Sequence, residues 1–166
     1  MFDPTPTLDA IGNWMITTPV YDFMVNVGWA FAAAETLHFM ALTLLLGSLL
    51  VVDLRGMGLL RFIPFEQAHK LVPLAIGAFV VNVITGLSFV FSNPWMYFPN
   101  MGFWWKMLFI IFAGINALVF EILVFRPYRN GNTAIADSNL AKITSALSLA
   151  FWFTVLILGR FLPWTE

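Results

Sequence analysis

Two ionisable residues three positions apart inside an apolar run, Glu35 and His38, are the first candidates for chemistry in this sequence. At that spacing both side chains lie on one face of a helix, so the carboxylate is placed to orient or neutralise the imidazole, or to handle a proton beside it. Further along, Asn82, Thr85 and Asn116 interrupt other apolar runs, and Lys106 and Arg160 stand near the ends of two of them. A second pair, Glu66 and His69, repeats the spacing, and Glu121 precedes the basic stretch from Arg126 to Arg129. No metalloprotease histidine pair, phosphate-binding loop, dinucleotide fingerprint or serine nucleophile elbow is present.

The elements that position these groups follow from composition. Of 166 residues, 60% are hydrophobic and only 10% charged, against about a quarter charged in soluble domains, so the solvent is lipid. Four spans of roughly 20 to 25 residues would use nearly the whole length. The expected fold is all-α, an antiparallel four-helix integral membrane bundle, with a short N-terminal interfacial helix. The spans are predicted at about 25–52, 66–91, 103–125 and 141–162, each bounded by Gly, Pro, Asn or charged residues. Residues 1–22 form a separate segment and 23–166 the transmembrane domain. In the former, Leu8, Ile11, Trp14 and Met15 fall at helical spacing with Asp9 and Asn13 off the stripe, which predicts an amphipathic helix in the interface or an ordered tail. Pro73 is expected to bend the second span, and Asn130 to Asn139 reads as a water-facing loop. A net charge of −1 with no basic patch excludes nucleic acid as a partner. No basic leader precedes an apolar run, so a cleaved signal peptide is not expected. The lack of cysteine excludes disulfides, thiolate metal sites and covalently attached haem.

Antiparallel spans put Arg55, Arg61, Lys70, Arg126, Arg129 and Lys142 on one side and only Lys106 and Arg160 on the other. The positive-inside rule makes the first side cytoplasmic and turns both termini outward. Trp14, Trp29, Trp95, Tyr97, Trp104, Trp105 and Trp164 then fall at the outer end, as an interfacial belt. Counting helical rise from the cytoplasmic ends places His38, Asn82 and Asn116 at heights of roughly 21, 24 and 14 Å, with Glu35 and Thr85 a turn further out. The result is a polar column from mid-membrane to the outer side. Ionisable groups at such depth normally face a partner, a cofactor or a pathway. The plainer alternative is that Glu35 and His38 bond to Asn82, Thr85 or Asn116 and hold helices together. Near the cytoplasmic surface, Glu121 is placed to reach His69, Lys70 or Lys142, as a salt-bridge network or as a quinone or proton-entry site. The two histidines cannot share one iron: axial nitrogens lie about 4 Å apart, whereas His38 and His69 differ in height by about 17 Å. A haem in the core would use His38 as its one histidine from this chain. Glu35 and His38 alone are too few for a mononuclear metal site.

Leu37, His38 and Gly47 in the first span, Pro73, Gly77 and Gly86 in the second, and Trp105, Lys106 and Asn116 in the third resemble the HemJ-type protoporphyrinogen oxidase and CopD-like group of small bacterial membrane proteins, over residues 34 to 126. Asp53, Leu54 and Arg55 depart from that group's pattern, as does the ending through Gly159, Arg160 and Pro163. The resemblance implies a bacterial inner-membrane location, with both termini periplasmic by the charge argument, and b-type haem on His38 as metal ligand. Lys106 and Arg160 would neutralise its propionates, Asn82 and Asn116 would complete the cofactor environment, and Glu35 would be the proton-handling, catalytic group. The first functional expectation is therefore a haem b-binding membrane protein for electron transfer, with a quinone, a partner membrane subunit or a second copy of the chain in a homo-oligomer. The alternatives are an oxidoreductase acting on a porphyrinogen-like or other apolar substrate, and a cofactor-free structural subunit or small transporter.

Overall fold

A computed structural model describes residues 5–164. The opening residues Met1 to Pro4, including Asp3, and the last two residues lie outside the described part, so the expectations for the two chain ends concern residues beyond it. The chain is helical throughout its ordered elements. Two short helices, α1 (Thr5–Met15) and α2 (Pro19–Asn26), precede the long α3 (Ala30–Gly56). Next come α4 (Phe65–His69), α5 (Val72–Ser92) and α6 (Pro94–Tyr97). Helix α7 (Met101–Phe120) runs on through a π turn (Glu121–Phe125) into α8 (Arg126–Arg129), and a 3₁₀ turn (Thr133–Asp137) leads to α9 (Asn139–Phe161). Four helical stretches, Ala30–Gly56, Phe65–Ser92, Met101–Arg129 and Asn139–Phe161, are long and apolar enough to cross a membrane. Their outward faces carry Ile84, Ile111, Ile115 and Leu118, each more than half exposed. Such surface is stable only against hydrocarbon, and the chain is an integral membrane four-helix protein.

Local chemistry sets the boundaries. Thr18 caps α2 by accepting from the Tyr21 amide, with Pro19 at the first helical position, where its missing N–H is harmless. The single N-terminal helix expected from the sequence is therefore two helices, and residues 27–29 turn the chain before α3 starts. Helix α3 begins later than expected and continues to Gly56, because Arg55 stays helical and sends Nε to the Ile63 carbonyl at 2.7 Å while its guanidinium lies over the Phe65 ring. The second span breaks at 70–71, just ahead of Pro73, consistent with the expected bend. Asn100 caps α7, accepting from Gly102 and Phe103 amides at 2.9 and 3.3 Å, and its amide donates to the Leu162 carbonyl at 2.9 Å, tying the start of α7 to the end of α9. Ser138 caps α9 through the Ala141 amide.

The seams define the cross-section. Helix α3 packs on α5 and on α9, and α9 packs on α7, whereas α5 and α7 share no seam of comparable extent. Consecutive pairs such as Phe31 with Phe89, His38 with Thr85 and Leu45 with Ala78 show α3 and α5 antiparallel. One core cluster, Leu45, Ala75 and Ala78 with Leu49, Phe79 and Trp152, lies at mid-height; the other, Phe65, Phe120, Val124, Phe125, Ala136 and Ala141, closes the inner end. The stretch from Asn130 to Asn139 faces water at most positions, as expected, while Ala136, 4% exposed, is tucked into that inner cluster with Ile135 packed beside it.

Candidate functional site in the outer half of the bundle

His38 sits a little over two turns into α3 and is half-buried. Its Nδ1 lies 2.7 Å from Thr85 Oγ1 on α5. The Thr85 hydroxyl is also 2.8 Å from the Val81 carbonyl one turn back, the usual back-bond of a helical threonine. A hydroxyl has one proton; with that proton on Val81 O, Thr85 accepts from His38 Nδ1–H. In that tautomer Nε2 carries the lone pair, and it makes no hydrogen bond among the described residues. The ring is held by Phe89 at 5.3 Å between centroids and passes over Gly86, where an added Cβ would stand 3.7 Å from Cε1.

Lys106 on α7 acts electrostatically on the His38 ring. Its Nζ would stand 3.3 Å from a Cβ at Gly159, so the ammonium lies across α9 at the one position without a side chain to block it. It makes no hydrogen bond or ion pair among the described residues. A groove of about 490 Å³ opens between α2, α3 and α5, walled by Met24, Trp29, Ala33 and Leu37, with Thr85 in its lining. That volume is within the range of small-molecule sites, roughly 300 to 1,000 Å³.

The other sequence-predicted residues are distributed differently. Glu35 is exposed and pairs with nothing among the described residues, so the orienting partner of His38 is Thr85 rather than Glu35. Asn82 is buried, donates to its own Ala78 carbonyl at 3.0 Å and leaves Oδ1 unpartnered. Asn116 donates to the Thr144 carbonyl at 2.9 Å and fastens α7 to α9. Arg160 is exposed at the end of α9. At the inner end, His69 Nε2 meets Glu121 Oε2 at 3.0 Å and its ring stacks on Phe125; Glu66 takes no part. Between the outer and inner polar groups lies the dry cluster of Leu45, Ala75 and Ala78. The pair of His69 and Glu121 is thus separate from the column read from the sequence, as expected, while within that column only His38 and Thr85 are bonded to each other.

Sequence reasoning passed over the α3–α9 seam. Asp53 was taken only as the end of a span, yet it is 4% exposed, as deeply placed as core leucines, and Ser145 opposite is fully buried. The available signal was the pair Ser145 and Ser148, one helical turn apart in an apolar run.

Among the described residues no three His, Cys, Asp or Glu side chains are grouped to hold a metal ion. A bis-histidine haem within one chain does not fit, because His69 is engaged by Glu121 at the opposite end. His38 is left as the single histidine that could ligate one.

Fold and site together define a small four-span membrane protein with a polar site around His38 and Thr85. The chain belongs to the family of unknown function DUF6644, whose model matches residues 17–165. No curated protein and no solved structure matches it.

Proposed function

We propose that this protein binds a flat apolar molecule carrying an anionic group, taken in from the outer half of the bilayer, and that His38 is the side chain that meets it. The observation that carries this reading is the Nδ1 bond to Thr85, which ties the His38 ring to a residue that itself lines the groove. Lys106, half-buried and without a hydrogen bond or ion pair among the described residues, is the complement for the anionic group: a cation within a span is costly without a partner, and a ligand carboxylate lowers that cost. We infer an oxidoreductase role on a porphyrinogen-like or other apolar substrate. This reading asks that His38 hold a proton at Nε2, that Glu35, at the exposed rim, exchange it with the outer phase, and that a quinone or a partner membrane subunit take the electrons leaving the substrate. A resident haem b passing electrons to a quinone, a partner subunit or a second copy has less support, since this chain supplies a single axial nitrogen. When bound, such a haem would supply one-electron chemistry; His38 would ligate it and Lys106 would face a propionate. The bacterial inner membrane, with both termini on the periplasmic side, is the setting that the charge bias favours.

A second reading has its own observation. Asn116 is committed to Thr144, and His38 to Thr85, both across helix seams; in a cofactor-free structural subunit these bonds would simply lock the helices together.

Titration of the purified protein in detergent with haemin and with metal-free porphyrin, followed by the Soret band and tryptophan quenching, separates these readings. Saturable binding of both porphyrins, abolished by His38→Ala with helix content unchanged, is the expected result. Binding of haemin alone would favour axial ligation and the resident haem. Binding of neither would leave the structural subunit.

A further inference from the structure

The seam between α3 and α9 contains buried oxygens that the outer site does not use. Asp53 is 4% exposed, and its Oδ2 has no hydrogen-bond partner. On α9, Ser145 is fully buried and its Oγ is likewise unpartnered. The Ser148 hydroxyl, one turn further along the same face, is turned to the Asp53 carboxyl. Gly56, one turn beyond Asp53 on α3, meets Ser145 so closely that a Cβ there would collide with its Oγ. The two helices thus bring Asp53 to Ser148 and Gly56 to Ser145 in antiparallel register.

Three features of this cluster share one remedy. A carboxylate taken out of water needs a counter-charge. The nearest cation in sequence, Arg55, is two residues on and therefore on another face of the helix; its Nε bonds the Ile63 carbonyl, its guanidinium lies over the Phe65 ring, and its Nη1, 3.8 Å from Asp137, has no hydrogen-bond partner. Asp53 also lies in the last turn of α3, where the helix dipole presents its negative end and disfavours an anion. Finally, two oxygen acceptors are buried with nothing bound to them, and each such group is costly unless satisfied. A single positive charge ligated by oxygen resolves all three.

We propose that Asp53, Ser145 and Ser148 hold one sodium ion between α3 and α9, near the Gly56 end of α3. The carboxylate balances its charge, the two hydroxyls act as neutral oxygen ligands, and water completes the shell. Hard cations take oxygen donors of this kind, and the C-terminal end of α3 favours a cation beside Asp53. The ion clamps α3 to α9, the seam that joins the α3–α5 half of the molecule to the α7–α9 half. This site is independent of the His38 groove.

The test is thermal unfolding of the purified protein in detergent, with sodium chloride exchanged for choline chloride or potassium chloride at constant ionic strength and alkaline pH. A ligand that binds only the folded state raises Tm with its concentration, so Tm is expected to climb by several degrees with sodium and not with choline. Asp53→Asn should remove that response, and Ser145→Ala should shift it to higher sodium. Sodium NMR line broadening by the wild-type protein, relieved by lithium, gives the same answer should Asp53→Asn not fold. Equal responses to sodium and choline, or an undiminished response in Asp53→Asn, would overturn the proposal. So would stabilisation by acid alone, which would make a proton the counter-charge.

Discussion

Glu121 and His69 meet at 3.0 Å between the π turn of the third span and the short helix that opens the second. Arg126 donates its backbone N–H to the Glu121 carbonyl five residues back, and Pro127 follows. Proline clashes with the carbonyl four residues before it, and the wider turn just ahead of it absorbs that conflict. The added residue per turn rotates Glu121 to face the imidazole, with Arg126 on its other oxygen at 4.0 Å.

Glu121→Gln keeps the shape of this contact and removes its charge. Both side chains are partly exposed, so the discounted cost is about 1 kcal/mol. A modest fall in Tm is expected, with unchanged binding in the outer groove. A loss of binding as large as that of His38→Ala would mean that the two ends are coupled.

Thr85→Val removes the acceptor for His38 Nδ1–H while keeping the side-chain volume. Groups that orient a ligating histidine are worth about ten- to a hundred-fold in affinity. The porphyrin titration should therefore weaken by that order with the fold intact, and an unchanged affinity would show that Thr85 does not position the ring.

Gly56→Ala forces a methyl into the Ser145 hydroxyl. Overpacking of this kind costs about 1 to 3 kcal/mol, and the cost should be relieved when Ser145→Gly is combined with it. Additive effects in that double-mutant cycle, measured by thermal unfolding, would contradict the contact.

Sidedness can be read without background, because the chain has no cysteine. Single cysteines introduced at Gly131, in the loop before the last span, and at Met101, at the start of the third, should react with an impermeant maleimide from opposite faces. Gly131 is expected to be shielded in intact cells and Met101 accessible. The reverse pattern would invert the topology.

The number and position of the spans were legible because lipid selects for uninterrupted apolar length, a signal that depends on no partner. The breaks were only partly legible. Pro73 announces a bend, whereas the π turn before Pro127 depends on how the wider helix packs against His69. Of the site, His38 could be found as an imidazole at depth. Its partner was legible only as one of several, since Glu35, Asn82, Thr85 and Asn116 were all candidates and only the rotation of α3 against α5 selects Thr85. Ala136 and Asp53 show the same limit from the other side: a loop alanine and a span-ending aspartate become buried through the packing of helices distant in the chain.

The apolar layer of Leu45, Ala75 and Ala78 closes the α3–α5 seam between the His38–Thr85 bond and the Glu121 end. Any proton relay between the two ends must therefore run through the polar groups of the other seams, Ser48, Asp53, Ser145 and the Asn116–Thr144 pair.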